Sequence, residues 1–378
     1  MPPPAACNST VSRSSRCLRH NRLRILFVSN GHGEMAIAAR IASDVRRLGD
    51  NVTAHFPLVG EAAREPQFPA VGPQRALPSG GLVAMGNVRA FARDLRAGFL
   101  PLWFAQRRFL RQQTQDYTVV VAVGDAYCLW TALAAKRKTV FVGTAKSVHV
   151  APYGALERRI LRRAVRVFVR DRATATFLRA AGVHAESPGN VIADLAHSDE
   201  VFEWGEGGRI AILPGSRENA YENAARIGRV LQSLESRHRL GYAVSIAPGL
   251  DSSRMLSALG VPARAWSGAL GAIISGATVA IGQAGTANEA AAASGVPVVA
   301  LGDGEAKKED WYRMRQRRLL DGALAMISPD PQRGAEELGA LLDDPERRAE
   351  MGRIGRERMG APGAASAIAA AILETARA

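Results

Sequence analysis

Val119-Val120-Val121-Ala122-Val123-Gly124-Asp125-Ala126 reads as an apolar strand that stops at a glycine and an aspartate and runs directly into a helix. An unbroken β-branched run of this kind is buried on both faces, as in a parallel sheet covered by helices. Upstream, the pattern predicts a strand over 24–29, the loop Asn30-Gly31-His32-Gly33-Glu34, a helix over 35–48 and a strand over 51–56. A Pro- and Gly-rich loop and a long amphipathic stretch over 87–113 follow. Downstream, helices over 125–135, 156–164 and 171–181 alternate with strands over 139–142 and 165–169. The alternation lapses between 196 and 208. It restarts with strands over 209–213, 242–247, 277–281 and 297–301, separated by helices over 220–235, 254–259, 286–294 and 310–320.

The expected fold class is therefore α/β, with two Rossmann-like, doubly wound parallel-sheet domains facing a cleft. A chain of 378 residues fits this, because one core rarely grows to that size. The reading assigns a disordered basic tail to 1–21, a first domain to 22–198, a linker to 199–208 and a second domain to 209–360. The helical remainder, 361–378, is expected to pack back on the first domain.

The net charge of +14 comes almost wholly from arginine, so an anionic partner is expected. Phosphorylated substrates, an acidic membrane surface and nucleic acid all satisfy that charge, but aromatics are few and no nucleic-acid motif is present, so nucleic acid is not expected. Cys7, Cys17 and Cys128 lack metal-ligand spacing. Residues 1–20 lack the apolar core of a secretory signal, and a cytoplasmic location is expected.

Two turns in the second half can hold phosphate. Leu213-Pro214-Gly215-Ser216-Arg217 ends one strand and leads into a helix, and Gly282-Gln283-Ala284-Gly285-Thr286-Ala287-Asn288-Glu289 does the same after another. Glycine allows close backbone approach, and a helix start offers unpaired N–H groups to an anion. Gly215, Ser216 and Arg217 together with Gln283, Gly285, Thr286 and Asn288 form the candidate nucleotide diphosphate site. Glu289, one helical turn in, is placed to accept hydrogen bonds from a ribose diol; it could also merely complement the helix dipole.

In the first half, Asp125 at a strand end can act as a general base on a hydroxyl, or can cap the helix it precedes. Gly31 and Gly33 suit close approach of an acceptor, and His32 and Glu34 could bind it or assist proton transfer; Glu34 could equally open the helix. No Asp-x-Asp, His-x-x-x-His or Cys pair suggests a metal, so no metal cofactor is expected.

The order of motifs resembles the lipid A disaccharide synthase family, inverting transferases of the GT-B fold. The resemblance rests on Leu82-Val83-Ala84-Met85-Gly86, Val123-Gly124-Asp125-Ala126, Pro188-Gly189-Asn190-Val191-Ile192-Ala193-Asp194, Leu213-Pro214-Gly215-Ser216-Arg217 and Ala284-Gly285-Thr286-Ala287-Asn288-Glu289. It implies that Asp125 is the catalytic base, that the later motifs bind a UDP-sugar donor, and that the acceptor is a lipid-linked or phosphorylated sugar. It places Asn190 on the acceptor side. Gly31-His32-Gly33-Glu34 and Tyr127-Cys128-Leu129-Trp130 depart from the family pattern, so the chain looks like its divergent branch, with an inherited donor site and a different acceptor.

The 87–113 stretch mixes Phe99, Leu100, Trp103 and Phe104 with Arg96, Arg107, Arg108 and Arg111. It can lie on an anionic membrane, here the cytoplasmic face of the inner membrane, or be a core helix with a solvated arginine face. Alternatives to a transferase are a UDP-sugar epimerase of the same architecture and a non-enzymatic nucleotide-sugar or nucleic-acid binding protein. The oligomeric state is not legible.

Overall fold

The computed structural model describes residues 22–59, 67–75, 95–216, 219–234, 239–283, 285–302 and 310–378. The 1–21 tail, Leu82 to Gly86, residues 87–94, Ala284, Arg217 and the side chain of His32 lie outside the described residues.

The first half runs β1 (Arg24–Ser29), α1 (His32–Arg47), β2 (Val52–Pro57), α2 (Phe99–Gln112), β3 (Val119–Gly124), α3 (Ala126–Ala132), β4 (Lys138–Gly143), α4 (Ala155–Leu161), β5 (Arg166–Val169), α5 (Arg172–Ala180), β6 (Ala185–Glu186) and α6 (Val191–Leu195). The second half runs β7 (Gly208–Leu213), α7 (Ala220–Leu234), β8 (Leu240–Ser245), α8 (Ser252–Leu259), β9 (Arg264–Trp266), α9 (Leu270–Ile274), β10 (Val279–Gly282) and α10 (Gly285–Ala293). It ends with β11 (Val298–Leu301), α11 (Asp310–Leu320), β12 (Leu324–Ile327), α12 (Pro331–Leu342), α13 (Pro345–Met359) and α14 (Ala364–Arg377).

These strands form two six-stranded sheets, ordered β2-β1-β3-β4-β5-β6 and β12-β11-β10-β7-β8-β9, with parallel pairing throughout. The direction of winding reverses between β1 and β3 in one sheet and between β7 and β10 in the other. Ligands of open α/β sheets collect outside the carboxyl ends of strands at such reversals, because neighbouring loops diverge there.

Successive side chains of each strand feed opposite faces. Leu26 and Val28 join Phe56, Val120 and Phe141 in one core, while Ile25 and Phe27 join Ile41, Val121 and Val123 in another. That second core continues through Ile192 and Ile368 to Leu213 and Ala280 of the other sheet and Ala291 of α10, so one apolar body joins the two halves. On the far side of the second sheet, Ile212, Ile227, Leu231 and Val244 form a third core. Between the sheets, Phe202 meets Trp204 and Trp266 edge to face, which fastens the irregular 199–207 segment to the second half.

Helix α14 follows Gly363 and lies against α1, with Ile368 and Ile372 buried beside Ile37 and Ile41. Asp194, buried at the end of α6, accepts hydrogen bonds from the Gly363 and Ala365 amides at 2.6 and 2.9 Å. By length and composition, Pro345–Arg377 could cross a bilayer. In the fold this stretch is two helices broken at Gly360, and its apolar residues already serve as protein core.

Candidate active site in the interdomain cleft

At the first reversal, β3 delivers Asp125 while β1 delivers the Asn30–Gly31 turn. Gly124 has φ +146°, and a Cβ there would lie 2.2 Å from Asn30 Oδ1, so only glycine lets the two loops meet. Asp125 is half-buried and caps α3 through a 2.9 Å hydrogen bond from the Cys128 amide to Oδ1. Burial raises its carboxyl pKa; hydrogen bonds from the Cys128 and Tyr127 amides and from the Asn30 side chain oppose that rise, and nearby Glu157 adds to it. Such a carboxylate is a stronger base than a solvated one.

The other strand ends surround it with polar groups. Lys146 pairs with Glu157 at 2.7 Å, Tyr153 lies beneath with its hydroxyl unpartnered and its pKa raised by burial, and Thr144 Oγ1 is also unpartnered. Glu34 folds back over its own helix start, since a Cβ at Gly31 would lie 2.5 Å from its Oε2. His32 opens α1.

At the second reversal, Gly282 pairs with Leu213, and the Gln283 amide bonds to Leu213 O at 3.1 Å, so the two glycine turns are neighbours. Gly215 has φ +120°, which leaves Ser216 at the mouth of the turn. A Cβ on Gly282 would lie 1.7 Å from Asn288 Oδ1. Asn288 is wholly buried: its Nδ2 donates to Gly282 O and to Gln316 Oε1, and the Gln316 amide donates to Gly285 O, so Asn288 shapes the turn from behind. Gln283 Nε2 and Asn288 Oδ1 are buried polar atoms without partners.

The two reversals face each other. A Cβ on Gly33 would lie 2.3 Å from Thr286 Oγ1, so the start of α1 rests on the start of α10. Arg315 of α11 reaches Ala145 O across the cleft, and Arg170, just past β5, bonds to Glu289 at 2.5 Å. Glu289 thus meets a cation of the opposite domain rather than open space. Asn190 caps α6, its Oδ1 accepting from Ile192 N at 3.2 Å, and it contacts Met359 where the chain crosses back. A crevice of about 300 Å³ beside it is lined by Ser147, His149, Arg170, Asp171, Arg318 and Arg358. It flanks the β5 side of the cleft, and no residue of the glycine turns lines it.

Among the described residues no cluster of three His, Cys, Asp or Glu could hold a metal ion. Asn30 and Arg170 are the groups that motif reading did not assign. Asn30 could have been found from its place one residue after β1; Arg170 carries no local signal.

On the outer side of the first domain, α2 buries Leu102, Gln106 and Leu110 at helical spacing and leaves Leu100 and Phe104 half to two-thirds exposed. Trp103 stacks on Trp130 at 5.9 Å, with the Arg107 guanidinium about 5 Å from both rings. The helix is thus both a core helix and an outward apolar surface.

No protein-family model and no curated protein sequence matches the chain. Solved structures do. The calicheamicin glycosyltransferase CalG4 is 14% identical with a TM-score of 0.60, covering 93% of this chain and 98% of its own. The glycosyltransferase SnogD from Streptomyces nogalater is 18% identical with a TM-score of 0.56, covering 94% and 99%. The UDP-GlcNAc 2-epimerase from Neisseria meningitidis, solved bound to UDP-GlcNAc, is 14% identical with a TM-score of 0.56, covering 93% and 100%. At this identity the likeness is one of fold, and with two facing parallel six-stranded sheets the chain has the two-domain, Rossmann-like GT-B fold.

Proposed function

We propose that the chain is an inverting glycosyltransferase that moves an amino sugar from a UDP donor to a hydroxyl of a lipid-linked or phosphorylated sugar, in the manner of the lipid A disaccharide synthases its motifs resemble. The observation that supports this reading is the meeting of the two winding reversals at Gly33 and Thr286, one reversal carrying Asp125 and the other the paired glycine turns. The acceptor hydroxyl oxygen attacks the anomeric carbon as Asp125 takes its proton. The bond from that carbon to the β-phosphate oxygen breaks on the opposite face, and UDP leaves with the electron pair. Helix α10 and Ser216 offer N–H and hydroxyl donors to the departing charge. The reading assigns no metal to this step and takes the protein to be cytoplasmic.

An epimerase is the second reading, favoured by the comparable likeness to an enzyme solved with UDP-GlcNAc. Both require nucleotide binding, so a panel of UDP-sugars should raise the melting temperature, by about 2.7 kcal/mol of stabilisation at a hundredfold excess over Kd. Failure of every UDP nucleotide to do so defeats both. Product analysis then separates them: free UDP that appears only with an acceptor marks transfer, and isomerised UDP-sugar without acceptor marks epimerisation.

The acceptor reaches the site, in this reading, from an anionic bilayer touched by α2. Leu100 and Phe104 supply apolar burial, while Arg108 and Arg111 meet head groups. Co-sedimentation with vesicles should rise steeply with anionic lipid and fall for Leu100→Ser/Phe104→Ser. Equal sedimentation of the two proteins removes α2 from the contact.

A further inference from the structure

Arg170 and Glu289 are 119 residues apart and on opposite domains, yet their side chains are only 8% and 11% exposed where they meet. A desolvated charge needs a partner of opposite sign, and removing one member strands the other at a cost of several kcal/mol. This sets a condition on any ligand of Glu289. Neutral hydroxyls, such as those of a ribose, can satisfy the carboxylate but leave the guanidinium buried and uncompensated. A ligand that also brings an anion within reach of Arg170 removes that penalty.

The surroundings of Arg170 suit such an anion. Nη1 is steadied by Thr144 O at 3.3 Å, and Arg170 also lines the crevice, as does Arg318. From this we infer that Arg170 exchanges partners: it neutralises Glu289 while the cleft holds no nucleotide, and it becomes a first-domain ligand of the donor diphosphate when the ribose diol takes Glu289. The inference deepens the donor reading proposed above and rests on it. It also supplies specificity, since the exchange closes only for a ligand carrying both diol and diphosphate, and a nucleoside alone leaves a cation stranded.

Inorganic pyrophosphate reads the exchange without a nucleotide. Calorimetry should show Glu289→Gln binding pyrophosphate about tenfold more tightly than the unaltered protein, because the guanidinium no longer has a carboxylate to leave. Adding Arg170→Met should abolish the gain. No gain in the single variant, or a gain that persists in the double variant, overturns the proposal. In a second arm, Arg170→Met should lower the preference for UDP over uridine by about tenfold, with Arg170→Lys retaining most of it; an unchanged preference is equally fatal. Absence of any UDP binding to the unaltered protein would strike the donor reading, while the pyrophosphate arm would still decide the exchange.

Discussion

Asp125→Asn should lower transfer turnover by about 10²- to 10⁴-fold while leaving UDP affinity and folding close to those of the unaltered protein. The substitution separates two roles that share one side chain. Asparagine caps a helix as well as aspartate does, so the bond from the Cys128 amide survives and α3 still starts at Ala126. What is lost is the negative charge that takes the proton in the proposed transfer. The raised pKa also sets the direction of the pH dependence: acidity must disable the base by protonating it, with the falling limb above the ordinary carboxylate range. Steady-state kinetics with calorimetry on the same variant check this. Near-normal turnover would remove Asp125 from the chemistry and leave it a cap alone.

Asp194→Ala should cost about 3 kcal/mol of stability, since hydrogen bonds to a charged acceptor contribute roughly 1.5–3 kcal/mol each and two are lost together in a buried place. Two unsatisfied amides would remain at the start of α14. Asp194→Asn, with one acceptor oxygen, should lie between the two. Chemical denaturation gives the values, and an alanine variant within 0.5 kcal/mol of the parent, roughly the scatter of surface substitutions, would show that the helix is held by its apolar face alone.

Much of the fold was legible because its central strands are buried on both faces, and such strands announce themselves as runs like 119–123 and 298–301. Two of the edge strands are different. β6 has two residues, one of them exposed, and β9 has three, none fully buried, so neither leaves an apolar run to read. Helices α12 and α13 were missed although each opens with Asp followed by Pro, a capping residue and a residue suited to the first helical position. Low apolar periodicity in the arginine-rich 345–359 segment outweighed that signal.

The site divides in the same way. Glycines and strand-end residues are local features, so the turns at Gly215 and Gly285 and the carboxylate at Asp125 could be singled out from sequence. Pairing across the cleft is not local. Nothing near Arg170 points to Glu289, and the Pro188 to Asp194 motif shows its purpose only when the amide of Gly363, 169 residues later, is found on the Asp194 carboxylate.

That last contact has a consequence for biosynthesis. Residues 364–377 cover a hydrophobic face of the half that leaves the ribosome first, so this half waits for the remainder of the chain before its surface is sealed. At typical bacterial and eukaryotic elongation rates the delay is roughly ten to forty seconds. Throughout that interval Ile37 and Ile41 of the nascent chain lack the cover of the last helix, a stretch of exposure that chaperones, or a neighbouring polysome, can answer.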